Sequence, residues 1–222
     1  MNEPTDPLVP SDNAAGTATA AALADPPFTP AEVRTALRRP GELLELVLSR
    51  RQRLAATIAN GESPWLLVAA LGTCTLLASI PFALVRGLGD WWKVAALFGG
   101  AAAICFPSLH VFGAYLGGRL RPTGNLALAL LISGVAALFT LGLAPIAWFL
   151  GVTMRAGDLV DADKSSLAML GGALLAGLAH VSRCTSKNRD LLAKSSLPLL
   201  LAWQCLVVFV ALRMARALGL IA

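Results

Sequence analysis

Charged residues are the scarcest class in this chain: Asp, Glu, Lys and Arg make up 14% of 222 residues, and five long stretches contain none. A water-soluble domain carries about a quarter charged residues, so a wet globular surface is excluded for most of the polypeptide. Alternation of apolar with polar residues is also missing from those stretches. That excludes a membrane β-barrel, because lipid tolerates only helices or closed barrels. No CxxC pair or disulfide framework exists among the four cysteines. Cys74, Cys105 and Cys205 lie inside apolar runs and read as small apolar fillers. Cys184 adjoins a basic loop, where acylation is conceivable but an unmodified thiol is expected. No basic residue precedes Arg34, so the chain does not open as a secretory signal does.

What the chain has in excess is apolar length. Its hydrophobic fraction is 56% and its mean hydropathy is +0.69. A bilayer core takes roughly 20 apolar residues per helix, and five runs qualify: Trp65 to Val85, Val94 to Leu116, Leu126 to Leu150, Leu167 to Val181, and Leu197 to Leu212. The fold class expected is all-α, a polytopic bundle of five transmembrane helices over residues 63–222. The fourth run, bounded by Asp163, Lys164 and Arg183, reaches only about 22 Å and has to snorkel its ends or thin the bilayer.

Twelve of the eighteen Lys and Arg residues fall on the side of the amino terminus, before the first span and in the loops after the second and fourth. The positive-inside rule then puts the amino terminus in the cytoplasm and the carboxyl terminus across the membrane. In a bacterium this is the inner membrane, with a periplasmic carboxyl end.

Residues 1–30, rich in Pro, Ala and Thr and acidic throughout, cannot bury enough apolar area to offset their ordering entropy. A disordered tail is expected there. Residues 31–62 turn helical and amphipathic, interrupted at Pro40 and Gly41, with Leu43, Leu44, Val47, Leu48, Leu54 and Ile58 on one broad face. Arg50, Arg51 and Arg53 flank that stripe. Two readings stand: a helix lying on anionic lipid, where each basic residue is worth about 1 kcal/mol, or a helix packed under the bundle with its arginines serving topology.

The second span carries Ile104-Cys105-Phe106-Pro107-Ser108-Leu109-His110-Val111-Phe112-Gly113. Pro107 frees the carbonyl of Ala103 and predicts a kink, and the Ser108 hydroxyl is placed to re-satisfy part of the broken ladder. Gly113 and Gly117 form a GxxxG spacing, and Gly172 and Ala176 a second small pair, each suited to close helix approach within the bundle or between protomers. His110 and His180 are the intramembrane ionisable groups, hence functional candidates by default. Facing each other they would share a metal or relay a proton. Without an intramembrane Asp or Glu the plainer reading is a neutral histidine bonded to a kink carbonyl. In the loop before the fourth span, Asp158, Asp161 and Asp163 lack the turn glycine and distal Glu of a calcium site and read as solvated. No cofactor, metal or nucleic-acid partner is expected.

The Phe-Pro-Ser-Leu-His-Val string resembles the middle motif of the phosphatidic-acid-phosphatase type 2 superfamily, which implies a general-acid role for His110. The accompanying signature is missing. Arg121-Pro122 follows the motif instead of preceding it, and Arg189 stands where the nucleophilic histidine should be, so phosphoryl transfer lacks its main electrostatic terms.

The tail-plus-five-helix layout, the Cys-Phe-Pro-Ser-Leu-His-Val-Phe-Gly-Ala-Tyr-Leu-Gly string and Ala144-Pro145-Ile146-Ala147-Trp148-Phe149 together are similar to bacterial relatives of the Yip family. That resemblance spans residues 36–216 and implies a five-helix membrane protein with a cytoplasmic amino-terminal tail. Its eukaryotic members are implicated in trafficking and bind small GTPases. The function expected is a non-enzymatic scaffold or adaptor with a protein partner or self-association, and the alternative is a lipid-phosphate enzyme or small transporter using His110. Leu54, Ile58 and Gly61 also resemble the opening of the WASP-homology-two motif. Ser63-Pro64-Trp65 replaces its basic element where the chain enters the membrane, and actin binding is not expected.

Overall fold

The computed structural model describes residues 26–61, 64–86, 88–115, 121–156, 162–187 and 197–220. Among them are eight helices: α1 Pro30–Arg38, α2 Pro40–Leu48, α3 Arg51–Asn60, α4 Pro64–Arg86, α5 Lys93–Tyr115, α6 Pro122–Ala156, α7 Ala162–Lys187 and α8 Leu197–Ala217, with a 3-10 turn at Leu88–Asp90. Strands are absent from the described residues. Five helices, α4 to α8, are long and apolar enough to cross a membrane. The protein is an all-α, multi-pass membrane protein.

Side-chain placement agrees with a bilayer. Leu76, Leu77, Ile104, Phe139, Phe149 and Phe209 all face outward from the spans, which in water would be an aggregation surface and in lipid needs no cover. Exposed aromatics mark the two interfaces. Trp65 and Tyr115 stand at one end of the bundle, and Trp91 and Trp92 at the other. From Trp92 to Tyr115 the helix rises about 35 Å, a little more than a hydrocarbon core.

Helix α6 is the organiser. It runs parallel to α4, with Gly134 against the carbonyl of Leu71, and antiparallel to α5, where the Ser133 hydroxyl donates to the carbonyl of Phe98 at 2.9 Å. Val135, Ala136 and Ala137 are fully buried. Helix α7 packs on another face of α6, and α8 packs on α5.

The fourth span is longer than its apolar run. Helix α7 covers 26 residues, about 39 Å, because Asp163, Lys164 and Arg183 are acceptable to a helical backbone at the interfaces even though they end a hydropathy window. The apolar run within it remains Leu167 to Val181, and the charged residues at its ends are part of the helix, from where they reach the interfaces. Pro81, Pro107 and Pro145 each sit inside a continuous helix.

Residues 26–61 form a cap on the end where α4 and α6 begin. Leu43, Val47, Leu54 and Ile58 join the same buried core as the spans. Helix α3 touches α6 and α7, and α1 touches α4. Gly61 closes α3 at φ 67°, the left-handed position that favours glycine, and lies against the side chain of Arg121. Of the two readings of this segment, the packing supports the helix under the bundle.

The expected tail reaches residue 30, and residues 1–25 lie outside the described ones. Phe28 is already buried, and its amide donates to the Thr57 hydroxyl at 2.8 Å. Thr29 then caps α1 in a reciprocal box: its hydroxyl accepts from the Glu32 amide, and the Glu32 carboxylate accepts from the Thr29 amide at 2.7 Å. This last bond holds the Glu32 carboxyl below its usual range; desolvation opposes it, and the hydroxyl of Thr29 and the guanidinium of Arg53 add to it. A carboxyl depressed in the folded state contributes stability above its unfolded value and loses it as pH falls through the folded one. Amide exchange in α1, corrected for intrinsic rates, should therefore accelerate as pH drops below the ordinary carboxylate range. Glu32→Gln should show the faster exchange already at neutral pH, and a flat profile in wild type would refute the docking role of Glu32.

Candidate functional site

Polar side chains of α5, α7 and α8 and of the start of α6 gather in the half of the bundle nearest the cap. On α5, the Ser108 hydroxyl donates to the carbonyl of Cys105 at 2.7 Å, not to Ala103, because a serine hydroxyl reaches back only three or four residues. The same carbonyl accepts the indole N–H of Trp203 from α8 at 3.0 Å. Next to Trp203, the Gln204 amide donates to the hydroxyl of Ser182 on α7 at 2.7 Å and approaches the carbonyl of Leu178 at 3.4 Å. Two adjacent residues of α8 thus tie it to α5 on one side and α7 on the other.

His110 lies two residues beyond Ser108, toward the cap. Its ring stacks on Phe106, with centroids 6.2 Å apart and planes 12° from parallel. Its Nδ1 is 3.2 Å from the amide nitrogen of Asn125 at the start of α6. With the amide nitrogen as donor, Nδ1 accepts. The partner is a side chain of the neighbouring span, where a kink carbonyl was expected. His180 is on α7, half-buried, between the two positions that Gln204 contacts. Among the described residues, no group of three or more His, Cys, Asp and Glu comes together as a metal site would need.

The small residues are divided between the inside and the outside of the bundle. Gly113 is half-buried and faces Asn125, with room for a methyl group. Gly172 is exposed, and a Cβ there would meet nothing. Ala176 is half-buried. The close approach of α7 to α6 is made by the next residue along, Gly177, where a Cβ would stand 2.6 Å from the carbonyl oxygen of Ile132. Gly117, Asp158 and Asp161 lie outside the described residues, as does the side chain of Asp163.

Arg50 and Arg53 are engaged within the cap itself. Arg50 bridges Glu45 at 2.8 Å. Arg53, 15% exposed, lies over the Phe28 ring at 4.4 Å, bonds Glu32 at 3.2 Å and donates to the carbonyl of Pro26 at 2.8 Å. Arg51 stands on the same helix, and its side chain lies outside the described ones. Between α1 and α2 a cleft of about 460 Å³ is lined by Glu32, Glu42 and Glu45 together with Arg50 and Thr35. Cys184 is buried, so its thiol is not presented for acylation.

Trp203, Gln204 and Asn125 were not singled out from the sequence. Gln204 had a signal, being the one amide side chain inside the five apolar runs. No protein-family model, curated protein or solved structure matches this chain.

Proposed function

We propose that this protein is a non-enzymatic membrane scaffold of Yip-like type, held in a bacterial inner membrane with its cap in the cytoplasm and its carboxyl end in the periplasm. One observation carries the reading: the membrane-embedded polar groups with described partners are used either within their own helix, as Thr75, Ser79, Ser108 and Thr140 are, or to join helices. His110 with Asn125, Ser133 with Phe98, Trp203 with Cys105 and Gln204 with Ser182 are four such ties. A catalytic or transport site needs polar groups converging on a space that a substrate can enter. A roomy polar cleft lies on the cap, between α1 and α2. A soluble protein partner would meet the scaffold there.

The lipid-phosphatase alternative requires His110 to protonate a leaving group. An assay of phosphate release from phosphatidic acid in mixed micelles separates the two readings. Purified wild type should show no release above that of His110→Ala, and release that disappears in His110→Ala would replace the scaffold with an enzyme. Capture of partners in mild detergent, with and without Glu42→Arg and Glu45→Arg, tests the cap surface. A partner set unchanged by both variants would reject the cleft.

A further inference from the structure

We propose that the cleft between α7 and α8, in the half of the membrane away from the cap, is a seat for a single anionic phospholipid. Helices α7 and α8 are tied through Gln204 near the cap, but they do not pack along their length. Toward the other end they leave a cavity of about 140 Å³ floored by α5, with Leu97, Leu167, Gly171, Leu174, Val208 and Leu212 among its lining. The lining is entirely Leu, Phe, Val, Ala and Gly. The cleft opens sideways, because Leu175 and Leu212 at its rim are 61% and 50% exposed. At this depth the surrounding medium is acyl chain, which fits an apolar slot as water would not.

Charge at the mouth selects the headgroup. Arg216 lies four residues beyond Leu212 and directly after Ala215, and Lys164 three residues before Leu167, so the two cations stand at the mouth of the cleft, at the edge of its lining. Both are exposed. Arg216 is in the last turn of α8, about 40° round the helix from Leu212, while Arg213 is turned about 100° from Leu212 and further from Ala215. A guanidinium pairs with a phosphate in a bidentate manner that a lipid ester cannot match, and a basic pocket between spans favours a net negative headgroup over a zwitterion, whose ammonium would meet the same cations. Along α8, Val208 to Arg216 rises about 12 Å, enough for the phosphate at the interface and the upper part of one chain in the cleft. A Cβ at Gly171 would meet nothing within 4 Å, so the space there is available to the chain.

Native mass spectrometry of the full-length protein, titrated in detergent with phosphatidylglycerol and phosphatidylcholine of equal chain length, tests this. Wild type should retain one phosphatidylglycerol roughly tenfold or more above phosphatidylcholine. Lys164→Gln with Arg216→Gln, both on exposed positions, should erase that preference. Gly171→Phe should lose retention of either lipid at unchanged thermal melting, and Gly171→Leu serves if the larger ring prevents folding. Equal retention of the two lipids by wild type, a preference that survives the double variant, or unchanged retention in the filled-cleft variant would each overturn the proposal.

Discussion

Gly177→Leu is expected to prevent assembly of the bundle, with a loss of about 3 kcal/mol or more in unfolding measured by denaturant titration in detergent. The obstacle is backbone on both sides. A Cβ on Gly177 would stand 2.6 Å from the Ile132 carbonyl oxygen and 3.3 Å from the Ala136 amide nitrogen. Neither atom can swing away as a side chain would, so α7 has to retreat from α6 along its whole contact. In lipid that retreat is costly, because helices there associate through close packing and not through exclusion from water. Total stabilities of about 5–15 kcal/mol leave little margin for it. Gly172→Leu is the control. Its Cβ meets nothing and faces outward, and leucine is the better helix former by nearly 1 kcal/mol, so its unfolding should stay within about 0.5 kcal/mol of wild type or improve. Equal behaviour of the two variants would mean that α7 is not rotated as described.

That contrast also shows what the sequence could and could not disclose. Residues 171–177 read Gly-Gly-Ala-Leu-Leu-Ala-Gly and offer two small pairs four apart, Gly172 with Ala176 and Ala173 with Gly177. A shift of one residue turns a helix by about 100°. Which pair faces inward is set by the azimuth of α7 against α6, and that is not encoded locally. The spans themselves were legible because the absence of charge is a property of single segments. Their ends were less so: hydropathy stops at Asp163 and Arg183, whereas backbone hydrogen bonding continues through them. The same blindness to distance hid the role of Arg53, whose carboxylate partner Glu32 lies 21 residues away, and of Asn125, which reaches His110 only because α5 and α6 run antiparallel. The start of α1 was present in the sequence as Thr29-Pro30-Ala31-Glu32, a capping box with proline at the first helical position. The composition of the preceding residues masked it.

Trp203→Ala should detach α8 from α5 at a cost of about 3 kcal/mol, the lower end of the range for removing a buried large aromatic, whereas Trp203→Phe should cost only about 0.6 and at most about 1.7 kcal/mol. The two substitutions separate packing from hydrogen bonding at one residue, 3% exposed. Phenylalanine keeps most of the ring volume and removes the N–H that reaches the Cys105 carbonyl. That carbonyl keeps the Ser108 hydroxyl as a donor, so no orphaned acceptor is left in the membrane and the loss stays small. Alanine also opens a cavity between α5 and α8. The full water-to-core transfer term does not apply, because an indole released toward lipid remains in an apolar medium. The cost is lost dispersion across a gap that neighbouring side chains cannot close. If Trp203→Phe proved as damaging as Trp203→Ala in the same titration, the indole bond would outweigh the packing and Cys105 would be more dependent on α8 than its second donor implies. If neither variant weakened the fold, α8 would not be anchored at this point at all, and the divergence of α7 from α8 would need another origin.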